Sequence, residues 1–168
     1  MGQSKKIDLI DFSRNMDEFP PGYVFDLHKG RIERHFPNLK IGENSSHKSK
    51  KGDDYNCAAW AIELKEGWIE FKDEHGNLDL RLETYISYYE NLGFSQTDTI
   101  QLEEGVIKIA IYTDAKKEFT HVARQLSNGI WTSKIGDWED IEHTTLEAVG
   151  GKSYGNPAVI MRKQLNPC

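Results

Sequence analysis

Cys57, His121 and Ser133 are the side chains whose types and order along the chain could carry chemistry. A cysteine nucleophile needs a thiolate, which a helix N-terminus favours through its free amides and its dipole. It also needs an imidazole within hydrogen-bond reach, and a third group that orients that imidazole. Cys57 follows Asp53, Asp54 and Asn56, all good N-cap types, and opens the run Cys-Ala-Ala-Trp-Ala-Ile-Glu-Leu-Lys-Glu, a strong helix sequence closed by Gly67. His121 stands in Phe-Thr-His-Val-Ala-Arg-Gln-Leu, which reads as a strand with Phe119, Ala123 and Gln125 on the histidine's face. A hairpin about Asn128-Gly129 sets Ser133 roughly opposite His121. Asp137 and Asp140 follow that strand and could orient the imidazole instead, as could Glu139. The Cys57 N–H, with Asn56 and Tyr55 beside it, could stabilise an oxyanion.

Each of these residues has a plainer reading. A free cysteine before two alanines is often a small buried residue. His121 could be a core histidine and Ser133 an ordinary hairpin hydroxyl. Arg124 reads as the structural partner of Asp137 or Glu139, and His143 as a surface or helix-capping residue. Trp131 and Trp138 could line a groove but read better as core.

The elements that must position these groups are legible in part. Residues 1–52 lack periodicity and are punctuated by Pro20-Pro21-Gly22 and Phe36-Pro37, so they read as an irregular arm with one short helix near Phe12–Phe19. Regular structure begins at Asp53, making residues 53–168 the core domain. Leu82, Tyr85, Ile86, Tyr89 and Leu92 share one helical face, and Gly93 is placed to end that helix. Ile107, Ile109 and Ile111 mark a strand, residues 119–126 and 130–135 a hairpin, and 158–162 a last strand. Thr144 and Glu147 form a capping-box pattern before Gly150-Gly151. Helices followed by antiparallel strands predict an α+β fold, with N-terminal helices packed on an antiparallel sheet.

Composition narrows the function classes. The 168 residues carry 21 Lys and Arg against 27 Asp and Glu, a net charge of −6. Residues 1–52 are net +3 and residues 53–168 net −9. Nothing here resembles the basic face that nucleic acid requires. Mean hydropathy is −0.65 and no run approaches a membrane span. No apolar segment follows the basic residues near the N-terminus, so no signal peptide is expected. Two cysteines, Cys57 and Cys168, exclude a disulfide framework and a four-cysteine zinc site, and point to a reducing, cytoplasmic setting. The six histidines show no short ligand pairing, and a calcium loop from Asp73 would need Gly and Glu where Leu78 and Thr84 stand. No phosphate-binding glycine motif is present, so neither a metal nor a cofactor is expected.

Tyr55-Asn56-Cys57-Ala58-Ala59-Trp60, followed by His121-Val-Ala-Arg-Gln-Leu-Ser-Asn-Gly-Ile-Trp-Thr-Ser133, resembles the NlpC/P60 and CHAP branches of the papain-like superfamily. The resemblance implies a papain-like core with Cys57 as nucleophile, His121 as base and Ser133 at the third polar position. Asn56 stands where those families usually have Asp, and Ser133 where they have His, Asn, Gln or Glu. The chain is also similar, over about residues 53–163, to a family of small uncharacterised bacterial proteins sharing Tyr-Asn-Cys-x-Ala-Trp-Ala, Thr-His-x-Ala-Arg-Gln and Trp-Thr-Ser-Lys-x-Gly-x-x-Glu-Asp-Ile-Glu-His. The implied activity is a cysteine hydrolase, amidase or deamidase acting on an amide or thioester of a protein or peptide. The alternative is a non-catalytic protein-binding module.

Overall fold

The computed structural model describes residues 33–40, 43–47, 54–64, 67–135 and 140–166. Its elements are β1 (Ser45–His47), α1 (Cys57–Trp60), α2 (Leu82–Asn91), β2 (Ser95–Thr97), β3 (Val106–Thr113), β4 (Phe119–Gln125), β5 (Trp131–Lys134), β6 (Asp140–His143), a 3-10 turn (Leu146–Val149) and β7 (Asn156–Gln164). All seven strands join one antiparallel sheet in the order β1-β6-β5-β4-β3-β7-β2. The expected α+β, papain-like architecture is therefore corrected to a β-rich fold. The physical reason lies in α1, which leaves the helical path after one turn. Glu63 enters the left-handed region at φ 62°, and Glu63 and Leu64 N–H donate back to the carbonyls of Trp60 and Ala59. This is a Schellman closure, normally given to glycine. The same closure ends α2 with Gly93 at φ 95°, where the sequence placed it.

β3 is central because its alternation fills both sides. Ile109 and Ile111 pack with Val122, Ala58, Tyr85 and Tyr89 on the face carrying both helices, here the α1 face. Ala110 and Tyr112 pack with Ala123, Trp131 and Ile141 on the other face, here the histidine face. Phe36 and Leu39, together with the 3-10 turn, cover that second face. The described part of the N-terminal region is thus folded onto the core, and β1 pairs with β6 as an edge strand. The expected helix at Phe12–Phe19 lies outside the described residues.

One extra residue in β4 sets the site. Tyr112 pairs with His121, but Thr113 pairs with Phe119, so Thr120 is a bulge. Phe119 stacks on Tyr85 at 3.5 Å on the α1 face. His121 stacks instead on Tyr154 at 4.1 Å, with Tyr112 edge-on at 5.3 Å. Strict alternation puts Phe119 and His121 together, and the bulge separates them. Gly155 holds Tyr154 in place by close approach, since a Cβ there would lie 1.9 Å from the Thr113 carbonyl oxygen.

Candidate functional site

Cys57 opens α1 on the α1 face. Asn56 caps the helix, its Oδ1 accepting from the Ala59 amide at 3.0 Å while its Nδ2 donates to the Ile69 carbonyl at 2.9 Å. Both ends of the Asn56 amide are therefore committed to structure. Tyr55 is buried, and its hydroxyl donates to Asp140 Oδ2 at 2.6 Å. Asp140, the alternative to Ser133 for orienting the imidazole, is thereby held on the α1 face, away from it. Asp137 and Glu139 lie outside the described residues.

The Cys57 thiol is half-buried among apolar groups of the α1 face. Desolvation pushes it up to about 11, against the amides of Val122, Ala58 and Cys57 itself and the charge of Lys134, which all pull it down. The helix start supplies the donors a thiolate wants, and burial outweighs them.

His121 and Ser133 lie on the other face, and both are fully buried. Ser133 Oγ is 2.8 Å from His121 Nε2 and 2.8 Å from His143 Nε2. His143 Nδ1 is 2.7 Å from the Thr145 carbonyl oxygen. A carbonyl only accepts, so His143 Nδ1–H donates to it. Neutral His143 then accepts from the Ser133 hydroxyl at Nε2, and Ser133 accepts from His121 Nε2–H. This leaves the His121 Nδ1 lone pair buried with no hydrogen-bond partner. Burial holds His143 down at about 4 and His121 well below the ordinary histidine value, with the neighbouring His143 adding to the depression. Neutral imidazoles are what this row of hydrogen bonds requires.

The structure thus brings His121 and Ser133 together and adds His143, which reads as a surface residue in sequence. It does not bring Cys57 to them. Cys57 touches the Val122 side of β4, and His121 projects from the opposite side. Among the described residues no three of His, Cys, Asp and Glu are gathered as a metal site, and no helix is long and apolar enough to cross a membrane.

The family model described as a domain of unknown function, DUF7689, matches residues 46–162. The chain belongs to the DUF7689 family. The match to DUF7689 runs from β1 through most of β7 and includes Cys57, Arg124 and the whole histidine row. Phe36 and Leu39, which cover the histidine row's face, precede it. No curated protein and no solved structure matches the chain.

Sequence reasoning missed the role of Arg124 in this DUF7689 domain. Its guanidinium lies 5.0 Å from the Trp60 ring and pairs with Glu63, while the partners expected from sequence, Asp137 and Glu139, lie outside the described residues. Arg124 is 8% exposed. The available signal is parity, since Arg124 and Val122 share a face and that face receives α1.

Proposed function

We propose that this DUF7689 domain is a non-catalytic binding module that recognises a protein or peptide. The observation that carries this reading is the placement of thiol and imidazole on opposite faces of one sheet. A cysteine hydrolase needs its base within hydrogen-bond reach of the nucleophile. Two further features support the reading. The thiol is pushed up to about 11 instead of being lowered, and the Ser133 hydroxyl is sealed from substrate. A reducing, cytoplasmic setting suits a chain whose described cysteine is a free thiol.

Thiol reactivity tests the proposal. In a Cys168→Ser background, reaction of Cys57 with a disulfide reagent at pH 6 is expected to run no faster than a model thiol. The raised thiol holds on the order of a hundredfold less thiolate than a free cysteine at that pH. A rate well above the model thiol, abolished in His121→Ala, would restore the hydrolase reading.

A further inference from the structure

A cavity of about 600 Å³ opens at the end of the sheet where β3 begins and β4 and β7 finish. Its size falls in the range of roughly 300–1,000 Å³ usual for ligand sites. Leu102, Val106, Ile107, Leu126 and Leu165 give it apolar walls. Leu102 and Leu165 are 48% and 47% exposed, which leaves apolar surface uncovered at the opening. Ile100 and Leu64, the chain neighbours of this rim, are exposed to a similar degree. The wall formed by the 99–105 loop is fixed. Buried Lys108 donates to the carbonyls of Thr99 and Gln101 and pairs with Glu103 at 2.6 Å.

The charged groups in this cavity are unequal. Glu103 is already held by Lys108 and Arg162. Glu104 is exposed on the rim. Arg124 is buried, immobilised on Trp60 and present in the cavity wall. Among the described residues its hydrogen bond is made by Nη1, toward Glu63, and its buried Nε–H has no acceptor. Glu63 is the opposite kind of group. Its side chain is 70% exposed, and its backbone sits in the left-handed region. A fixed cation is therefore neutralised by a largely exposed carboxylate at the mouth of an apolar cavity.

We propose that this cavity binds a carboxylate carried on a hydrophobic body, with Arg124 as the anchor and Glu63 as an internal stand-in that the ligand displaces. The inference rests on the binding-module reading and names the ligand chemistry for it. Apart from Glu104 on the exposed rim, the carboxylates a cationic ligand would meet are already taken by Arg124, Lys108 and Arg162. A monocarboxylate replaces one such partner and gains the apolar walls. An exchange of one carboxylate for another keeps the guanidinium paired throughout, so binding forfeits no ion pair. The carboxylate could be a peptide C-terminus or an aliphatic acid, since both present the same group on an apolar chain.

The test is calorimetric titration of the full chain, with the Arg124 Nε–H resonance followed by NMR. One arm uses an acetylated tripeptide ending in leucine, as free acid and as C-terminal amide. The other uses decanoate and decanamide. At least one acid is expected to bind and to shift the Arg124 resonance, with its amide about tenfold weaker or more. The arm that responds identifies the source. Arg124→Gln is expected to abolish acid binding. Glu63→Gln, a change at an exposed position that spares the fold, is expected to tighten it about tenfold by removing the competitor. Equal affinity for acid and amide, no binding of either acid at millimolar concentration, or weaker binding by Glu63→Gln would each overturn the inference. None of these outcomes touches the thiol measurement, so the inference and the reading beneath it fail separately.

Discussion

The two faces of the sheet bury polar groups in different ways. On the histidine face three neutral side chains, His121, Ser133 and His143, exchange hydrogen bonds among themselves and with one carbonyl, sealed from solvent. On the α1 face the buried polar groups include charged ones: Asp140, which accepts from Tyr55, and Lys134, 5.4 Å from the Tyr55 ring, are as closed as the histidines, while Arg124 pairs with the exposed Glu63. A neutral, closed row contributes rigidity and a single register. A cation paired with an exposed partner can exchange that partner. The motif order Cys, His, Ser draws attention to the histidine face, but the group placed to meet a ligand is on the other.

Removing the hinge of the closed row gives the largest expected effect. Ser133→Ala strands His121 Nε2–H and His143 Nε2 together, and leaving two buried groups unsatisfied costs about 4 kcal/mol. Cys57→Ala, on the α1 face, removes one sulfur from a half-buried site and costs about 1 kcal/mol. Urea unfolding of both variants checks the contrast. Comparable losses would mean that Ser133 is not the hinge of the row.

The hinge was within reach of the sequence, and its neighbour was not. Asn128-Gly129 centres the hairpin, and the register there, Arg124 with Thr132, puts Ser133 on the face of His121 but diagonal to it, not opposite it as expected. His143 has no such signal. β6 is four residues long and meets β4 only across β5, so its address depends on a register that no local pattern encodes. β1 and β2, three residues each at the sheet's edges, are too short and polar to show alternation. The strands with apolar alternation, β3 and β4, and the helix of Leu82–Asn91 were legible because burial demands that periodicity. The bulge at Thr120 and the early end of α1 were hidden for a different reason. Each is a backbone choice made by tertiary packing, one that sequence propensity opposes at Glu63 and leaves open at Thr120.

Acid sharpens the same comparison with the next effect in size. Folding holds His143 at about 4, while an unfolded histidine titrates near 6.5. The unfolded state takes up the proton first as pH falls, so this stability is full above about 6.5 and lost progressively toward 4. The total is about 3 kcal/mol from His143, with His121 acting in the same direction. The groups facing this row are the Tyr112 and Tyr154 rings against His121, and Glu147, in the 3-10 turn, whose charge reaches Tyr112. Melting temperatures between pH 7.5 and 4.5 stay above the range in which carboxylates such as Asp79 lose their contribution. Wild type and Cys57→Ala are expected to fall with one slope, and His143→Gln to start lower and fall less. An unchanged slope in His143→Gln would remove the histidine face from the pH response.

The smallest expected effect separates the two ways of closing a helix. Gly93 ends α2 in the left-handed region at little cost, while Glu63 ends α1 in the same region with a side chain. Glu63→Gly relieves that conformation, a gain of about 1 kcal/mol, and gives up an ion pair whose acidic partner is 70% exposed and so contributes about 0.5 kcal/mol. The net expectation is a protein equal to or slightly more stable than wild type, with an Arg124 that has lost its counter-ion. Differential denaturation of Glu63→Gly and Glu63→Gln reads this directly. The glutamine variant keeps the left-handed side chain and loses the charge, so it is expected to be the less stable of the two. If glycine is clearly destabilising while glutamine is neutral, the backbone at position 63 is unstrained and the Glu63 side chain holds α1 by contacts other than its charge. If glycine is tolerated as expected, a residue that costs stability where it stands is kept for what its carboxylate does at Arg124.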